Sequence, residues 1–386
     1  MKLAVISHKK SWREGESPTG VVTVGGFPQQ MAALAGLFSQ TTVYVPAEPA
    51  PIPQEAMPLS GRNLSVISLT PLPERGLKRK LAMLAWLPRN LPTLWRGVQA
   101  ADAVHTPIPS DMGMVGMFVA LAQAKPLFIR HCSLWGQTFT LTGRFLHWFL
   151  ERIAGRNQTI VMATGGSDQP PSRRNPTIQW IFSSSLTAEQ WANLPQSQPW
   201  PGNQPLRLVT VGRMEPVKNT AIILQAVAQL RSSFRPGLHL DLVGDGTTLP
   251  SLKAQTTSLG LNDIVTFHGN LTHEKVLNVL AQAHLFLLPS HFEGFPKAAL
   301  EAMACGLPVI ATAVSVLPHL VKDNGLLLEK PTVENLTQAI RQISQEPQTM
   351  ATMAAGARAE SRHYTLDGWQ QTIGGRLRQS WQWTDL

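Results

Sequence analysis

The chain has 386 residues, 43% of them hydrophobic, and carries 33 Lys and Arg against 24 Asp and Glu, a net charge of +9. It is too long for one ordinary core and too apolar for a disordered chain, so two globular domains are expected. Its two cysteines, Cys132 and Cys305, exclude a disulfide framework or a zinc knuckle and point to a reducing compartment.

Met1-Lys-Leu-Ala-Val-Ile-Ser7 holds too short an apolar run for a secretory leader and reads as a first buried strand. Further strands are expected at 42–45, 64–69, 103–105, 127–131 and 160–163, with helices at 26–38, 78–98, 111–123 and 138–154. The stretch 75–96 carries Arg75, Lys78, Arg79, Lys80, Arg89 and Arg96 interleaved with Leu81, Leu84, Trp86, Leu87, Leu91, Leu94 and Trp95, and no acid. Two readings fit it: an anionic membrane surface, or a core-facing helix pair broken at Pro88 and Pro92. Nucleic acid is not expected, since no known recognition module is present. No stretch is apolar for long enough to span a bilayer. A cytoplasmic protein is therefore expected, with peripheral attachment to the inner membrane face if the basic segment binds lipid.

After the Pro- and Gln-rich run 193–205, a second series begins. Strands are expected at 206–211, 238–243, 265–268, 285–288 and 309–311, and helices at 219–231, 250–259, 273–283, 296–305 and 333–344. A last helix spans 366–381. Strands alternating with helices imply parallel sheets with right-handed crossovers.

The βα turns of the second series carry the chemistry. Val211-Gly-Arg-Met-Glu-Pro-Val-Lys-Asn219 brings Arg213 and Lys218 off a strand's carboxyl end, beside the tight turn that Gly212 permits. A guanidinium fork and a mobile ammonium could together neutralise a diphosphate. Glu293 and Glu301 frame Glu293-Gly-Phe-Pro-Lys-Ala-Ala-Leu-Glu301, the first acid in a loop and the second on the helix that Pro296 opens. The free amides at that helix start favour an anion. Gly244 and Gly246 permit close backbone approach but read first as a Gly-rich turn into the helix at 250, and Phe267-His-Gly-Asn-Leu271 could meet a nucleobase edge or simply serve a tight βα turn. In the first series, Gly25 and Gly26 precede a helix, and His131 ends a strand where an imidazole facing the interdomain cleft could bond a sugar hydroxyl or move a proton. A lone histidine is more often structural. No Asp-x-Asp pair, Walker loop or Gly-x-Ser-x-Gly elbow occurs, and Ser183 to Ser185 has no nucleophile context.

Residues 206–343, through Gly212-Arg213 with Lys218, Val243-Gly-Asp-Gly246, Phe267-His-Gly269 and the block from Glu293 to Thr312, resemble the retaining glycosyltransferases of family 4. The resemblance implies the GT-B architecture: an α/β chain of two Rossmann-like doubly wound domains facing a central cleft. The first would cover 1–190 on the acceptor side, followed by a linker at 191–205. The donor domain would cover 206–365, with the helix at 366–386 packing back toward the first domain. It further implies metal-independent transfer of a hexose from a UDP- or GDP-sugar, which is the co-substrate in the absence of any cofactor. The acceptor would be a glycan, a lipid-linked molecule or a small molecule, in polysaccharide or glycolipid synthesis. His131, Glu293, Arg213 and Lys218 would be catalytic. The donor would meet Gly25, Gly26, Gly212, Gly244, Gly269, Asn270, Leu271, Gly294, Phe295, Pro296, Lys297 and Ala298, and Glu301 would hold the ribose. A non-catalytic nucleotide-sugar-binding protein and a sugar-nucleotide epimerase of the same architecture are the alternatives.

Overall fold

A computed structural model describes residues 1–49, 51–53, 56–73, 77–133, 135–136 and 140–382. The chain divides into two compact units, Met1–Ser185 with Leu366–Leu386, and Leu186–Thr365.

The first unit is built on parallel strands in the spatial order Gln179–Ile181, Thr159–Thr164, Leu127–His131, Ala103–Ile108, Lys2–Ile6 and Gln40–Glu48, with Leu64–Leu69 also on Gln40–Glu48. Short strands at Ser11–Arg13, Val21–Thr23 and Met57–Pro58 extend the sheet. At two or three residues each, they fall below any readable alternation. Alternation puts Leu3 and Val5 in one core with Met31 and Leu34, and Ala4 and Ile6 in the other with Trp86, Leu94 and Leu150. Both faces are covered, as a parallel sheet requires.

The 75–96 stretch is not a broken pair. Leu77–Ala100 is one helix with Pro88 and Pro92 inside it. Trp86, Asn90, Leu94 and Val98 are buried at i, i+4 spacing, whereas both prolines are exposed. The prolines thus lie on the solvent side of the helix, where water can take the place of a missing backbone bond. Arg75 lies outside the described residues, as do 138 and 139 of the helix expected from 138, which runs Leu141–Ile153.

The second unit holds six parallel strands in the order Val265–Gly269, Leu238–Val243, Leu206–Val211, Leu285–Leu288, Val309–Thr312 and Gly325–Leu328. The last of these, and the helix Pro347–Ser361, were not expected. Leu208 and Leu287 face one core, Val209 and Phe286 the other. The Pro/Gln-rich run is no free linker. It follows the helix Ala188–Asn193 within the second unit, buries Leu194 and Trp200, and donates from the Ser197 amide to the Cys305 carbonyl at 2.8 Å. Its apolar residues find a core even though its prolines prevent regular structure.

The helix Leu366–Trp381 belongs to the first unit, with Trp369, Ile373, Leu377 and Trp381 in the core of Met31 and Leu34. The Arg130 guanidinium lies 5.5 Å from the Trp369 ring centroid. Trp369 is wholly buried. Trp369→Ala should cost about 3–5 kcal/mol, a large core truncation, seen as a lower urea midpoint with an unchanged slope.

Candidate functional site

In the second unit, strand order reverses between Leu206–Val211 and Leu285–Leu288. An open parallel sheet binds its ligands outside the carboxyl ends at such a reversal. Both charged loops of the sequence arrive there. Strand Leu206–Val211 runs into Gly212 and Arg213 and a 3₁₀ turn at Pro216–Lys218; strand Leu285–Leu288 runs into Glu293. The His291 amide donates to the Val217 carbonyl at 2.9 Å and ties the loops together.

The Lys218 ammonium donates to both Glu293 carboxylate oxygens, at 2.7 and 2.9 Å. Glu293 is 5% exposed, and this cation is its counter-charge. An isolated carboxylate there would carry a large desolvation cost. Arg213 is exposed, and its guanidinium has no hydrogen-bond or ion-pair partner among the described residues. The site thus pairs one cation in advance and presents another open.

Gly244 and Gly246 answer to the neighbouring loop. At φ +128°, a Cβ on Gly244 would lie 1.9 Å from the Gly212 carbonyl oxygen, and one on Gly246 would lie 2.4 Å from that of Met214. Without side chains there, the Gly212 amide reaches the Val243 carbonyl at 3.0 Å and Met214 reaches Asp245 at 2.8 Å. The two glycines make the edge thin enough for the first loop to lie flat. Gly269, at φ +64°, and Gly294 have nothing within 4 Å of a built Cβ, so both leave space beside the backbone. Asn270 is exposed and Leu271 half-buried in the turn after Gly269.

The helix after Glu293 runs Lys297–Ala304, with Pro296 as its N-cap rather than its first turn. Its amides are largely used locally. Lys297 donates to the Phe295 carbonyl, and Ala299 and Leu300 both donate to that of Pro296. This differs from the expected open row of donors; the Ala298 amide is the one not taken in this way. Glu301 lies one turn further on, 9% exposed, with its Oε1 3.1 Å from His273 Nε2. The hydrogen bond to Glu301 raises the His273 pKa against the opposing effect of burial. His273 heads the helix that follows the Gly269 turn. Sequence reading missed it because its partner is 28 residues away.

The remaining candidates belong to the first unit. Gly25 is exposed at φ +73°, and Gly26 caps the helix Phe27–Ala35. His131 ends its strand as expected but is 1% exposed, so the ring is not open to solvent as the sequence had suggested. Its Nδ1 lies 2.8 Å from the Ser133 carbonyl, and its Nε2 lies 3.1 Å from Nε2 of His147. A carbonyl can only accept, so Nδ1 carries the proton, and the His147 N–H donates to the bare Nε2. Burial, then the nearby His147, lowers the His131 pKa to about 4, against a smaller raising effect of the Ser133 bond. His131 is a neutral acceptor already supplied with a donor. His147, stacked on Trp135 at 4.6 Å, is the partner that sequence did not reveal. Next to His131, Arg130 donates to Gln30 Oε1 at 3.0 Å, and Gln30 donates to Ser183 Oγ at 2.9 Å. The serine run is thus part of a buried network.

Residues 193–360 match the family model of glycosyl transferases group 1. That segment belongs to the glycosyl transferases group 1 family. D-inositol 3-phosphate glycosyltransferases from Saccharomonospora viridis and Mycolicibacterium smegmatis are 33% and 34% identical over 181 and 175 residues. Those alignments cover 44% and 43% of this chain, and 41% and 38% of the relatives. The chain therefore spans about two fifths of the length of the curated relatives it matches. A sucrose-phosphate synthase from Thermosynechococcus elongatus superimposes with a TM-score of 0.71 at 19% identity, covering 99% of both chains. The Anabaena protein HepE in complex with UDP-glucose gives 0.70 at 19% identity over 98% of this chain and 100% of its own. At this identity the likeness is one of fold, and the two Rossmann-like units have the GT-B fold. The matched segment spans Arg213, Lys218, His273, Glu293 and Glu301.

The buried histidines give the fold a pH dependence. An unfolded His131 titrates near 6.5 and the folded one near 4. Between those values the unfolded chain binds the extra proton, so stability rises with pH across that window. His131→Gln should flatten the rise by about one proton in urea midpoints measured between pH 4.5 and 6.5. His273 has the opposite sign: its contribution is complete below 6.5 and fades as pH rises through its raised folded value.

Proposed function

We propose that the chain is a retaining, metal-independent glycosyltransferase that moves a hexose from a nucleotide-diphosphate sugar. The observation that carries this reading is the Lys218–Glu293 pair with the open Arg213 at the strand-order reversal. When a glycosidic bond to a diphosphate breaks, negative charge gathers on the departing oxygens, and pre-placed cations stabilise it best where water is scarce. Arg213 supplies a bidentate fork and Lys218 a point charge held ready by Glu293. Glu293, buried and paired with Lys218, is suited to accept from hydroxyls of the transferred sugar, beside the backbone from Gly294 to Ala298. Glu301, steadied by His273, is suited to accept from the ribose. His131, 1% exposed and with both ring nitrogens taken by Ser133 and His147, has no free nitrogen to offer the sugar.

A UDP-sugar is the donor we favour, because the similar Anabaena fold was solved with UDP-glucose. Inositol phosphate, named for the relatives, directs the acceptor search toward polar small molecules as well as glycans and lipid-linked saccharides. A non-catalytic binder would keep donor affinity with no turnover on any acceptor. An epimerase would convert the donor without releasing UDP.

Arg213→Ala is the cleanest test, since no partner is left stranded. It should raise the Kd for UDP about ten- to a hundredfold, the loss of one or two charge-assisted hydrogen bonds. Unchanged calorimetric affinity would remove Arg213 from the site. Lys218→Ala should abolish slow hydrolysis of the donor, and wild-type hydrolysis should withstand EDTA. Because that variant leaves Glu293 buried alone, at a cost of about 3 kcal/mol or more, its folding must be checked by circular dichroism.

We also propose that the helix Leu77–Ala100 rests on an anionic membrane surface. One stripe of it, with Trp86, Leu94 and Val98, faces the core, while Leu81 and Leu84 are 60% and 71% exposed and leave apolar surface for lipid. Among the described residues no helix is long and apolar enough to cross a membrane. The variant Lys78→Gln, Arg89→Gln, Arg96→Gln should lose most of its sedimentation with phosphatidylglycerol vesicles at low salt. Equal sedimentation would leave the exposed leucines without this explanation.

A further inference from the structure

The first unit has its own strand-order reversal. Leu64–Leu69, Gln40–Glu48 and Lys2–Ile6 stand on one side, and Ala103–Ile108, Leu127–His131 and Thr159–Thr164 on the other. The carboxyl ends of Lys2–Ile6 and Ala103–Ile108 therefore border a second place where an open sheet takes a ligand. A cavity of about 360 Å³ lies there, lined by His8 and Lys9 from the first loop, Met112 from the second, and Lys10, Glu48 and Arg79. Its volume suits a small polar ligand.

The charges around it do not cancel. Lys10 Nζ lies 3.5 Å from Glu48 Oε2, and Arg79 Nε donates to Asp111 Oδ2 at 2.5 Å. The half-buried Lys9 has no side-chain hydrogen bond or ion pair among the described residues. Burial lowers its pKa, with no acid opposing the shift. His8 is pushed down by burial and then by the positive charges of Arg79 and Lys9, with Asp111 the one opposing influence. A desolvated ammonium with no counterion is expensive unless something else supplies the charge. Two cations already tethered by acids stand at the rim, and the bare one lies between loops that converge on the cavity.

We propose that this cavity is an oxyanion subsite, in which Lys9, with Arg79 and His8 beside it, holds a phosphate monoester carried by the molecule that receives the sugar. Calling that molecule the acceptor rests on the transferase reading; the anion site itself does not. Lys9 can offer its unspent charge, and Arg79, whose Nε and Nη1 are held by Asp111 and the Pro73 carbonyl, adds a fixed positive charge at the rim.

The test is calorimetric titration of the full chain with inorganic phosphate and with glucose 6-phosphate at low salt, in the presence of saturating UDP so that the donor loops are filled. Both phosphates should bind at one site, weaken with added salt, and be ignored when glucose replaces glucose 6-phosphate. Lys9→Met should weaken them by at least about tenfold, the scale of a lost charge-assisted hydrogen bond, and Lys9→Arg should restore most of the affinity. Because Lys9→Met removes an uncompensated charge, its thermal midpoint without phosphate should equal or exceed the wild type's, and the upward shift that phosphate gives the wild type should disappear. Equal phosphate affinity in wild type and Lys9→Met overturns the proposal. So does a loss that follows Arg213→Ala rather than Lys9. If phosphate binds through Lys9 while UDP does not bind at all, the transferase reading falls and the subsite stands; if UDP binds and phosphate does not, the reverse holds.

Discussion

The ion pair between Lys218 and Glu293 is the constraint on which the candidate site depends. Glu293 is buried, and removing the cation at hydrogen-bond distance would leave its carboxylate without compensation for lost hydration. Lys218 comes from the loop of the first strand of its sheet and Glu293 from the loop of the fourth, so the pair forms only because strand order puts those strands side by side. The amide bond from His291 to Val217 fixes the same junction through the backbone. Two glycines thin the adjacent edge, so that the loop carrying Arg213 lies across it.

Positive charge is rationed differently in the two units. In the second, one cation is committed to a buried acid and another is left open, which suits a ligand that brings two phosphate groups. In the first, Lys10 and Arg79 are tethered to Glu48 and Asp111 and Lys9 is left bare, which suits a ligand that brings one. The helix start after Glu293 contributes less than its position suggests, because Phe295 and Pro296 carbonyls already hold three of its amides. Side-chain cations must therefore provide most of the attraction for an anion. The histidines add a second layer, since His273 steadies an acid while His131 and His147 satisfy each other.

Much of the architecture could be read along the chain. Leu206–Val211, Leu238–Val243 and Leu285–Leu288 are apolar runs bounded by turn residues, and burial on both faces of a parallel sheet demands that pattern. The failures have physical causes. Ser11–Arg13 and Val21–Thr23 are too short to alternate. Pro88 and Pro92 read as breaks because a linear scan cannot see that they face solvent. The run 193–205 reads as a linker because its prolines hide the burial of Leu194 and Trp200.

The sequence by itself determined the alternation of strands and helices in both units and which βα turns carry cations, acids and glycines. These follow from periods of two and 3.6 residues and from local turn chemistry, which operate over a few positions. Tertiary structure alone decided the partners: Lys218 with Glu293, 75 residues apart, His273 with Glu301, His131 with His147, and Arg130 with Gln30, 100 residues apart. It also decided that Lys9 has none among the described residues. Such pairings depend on strand order and on how each loop leaves its sheet. Those are set by packing whole layers against one another, and no short window of residues encodes them.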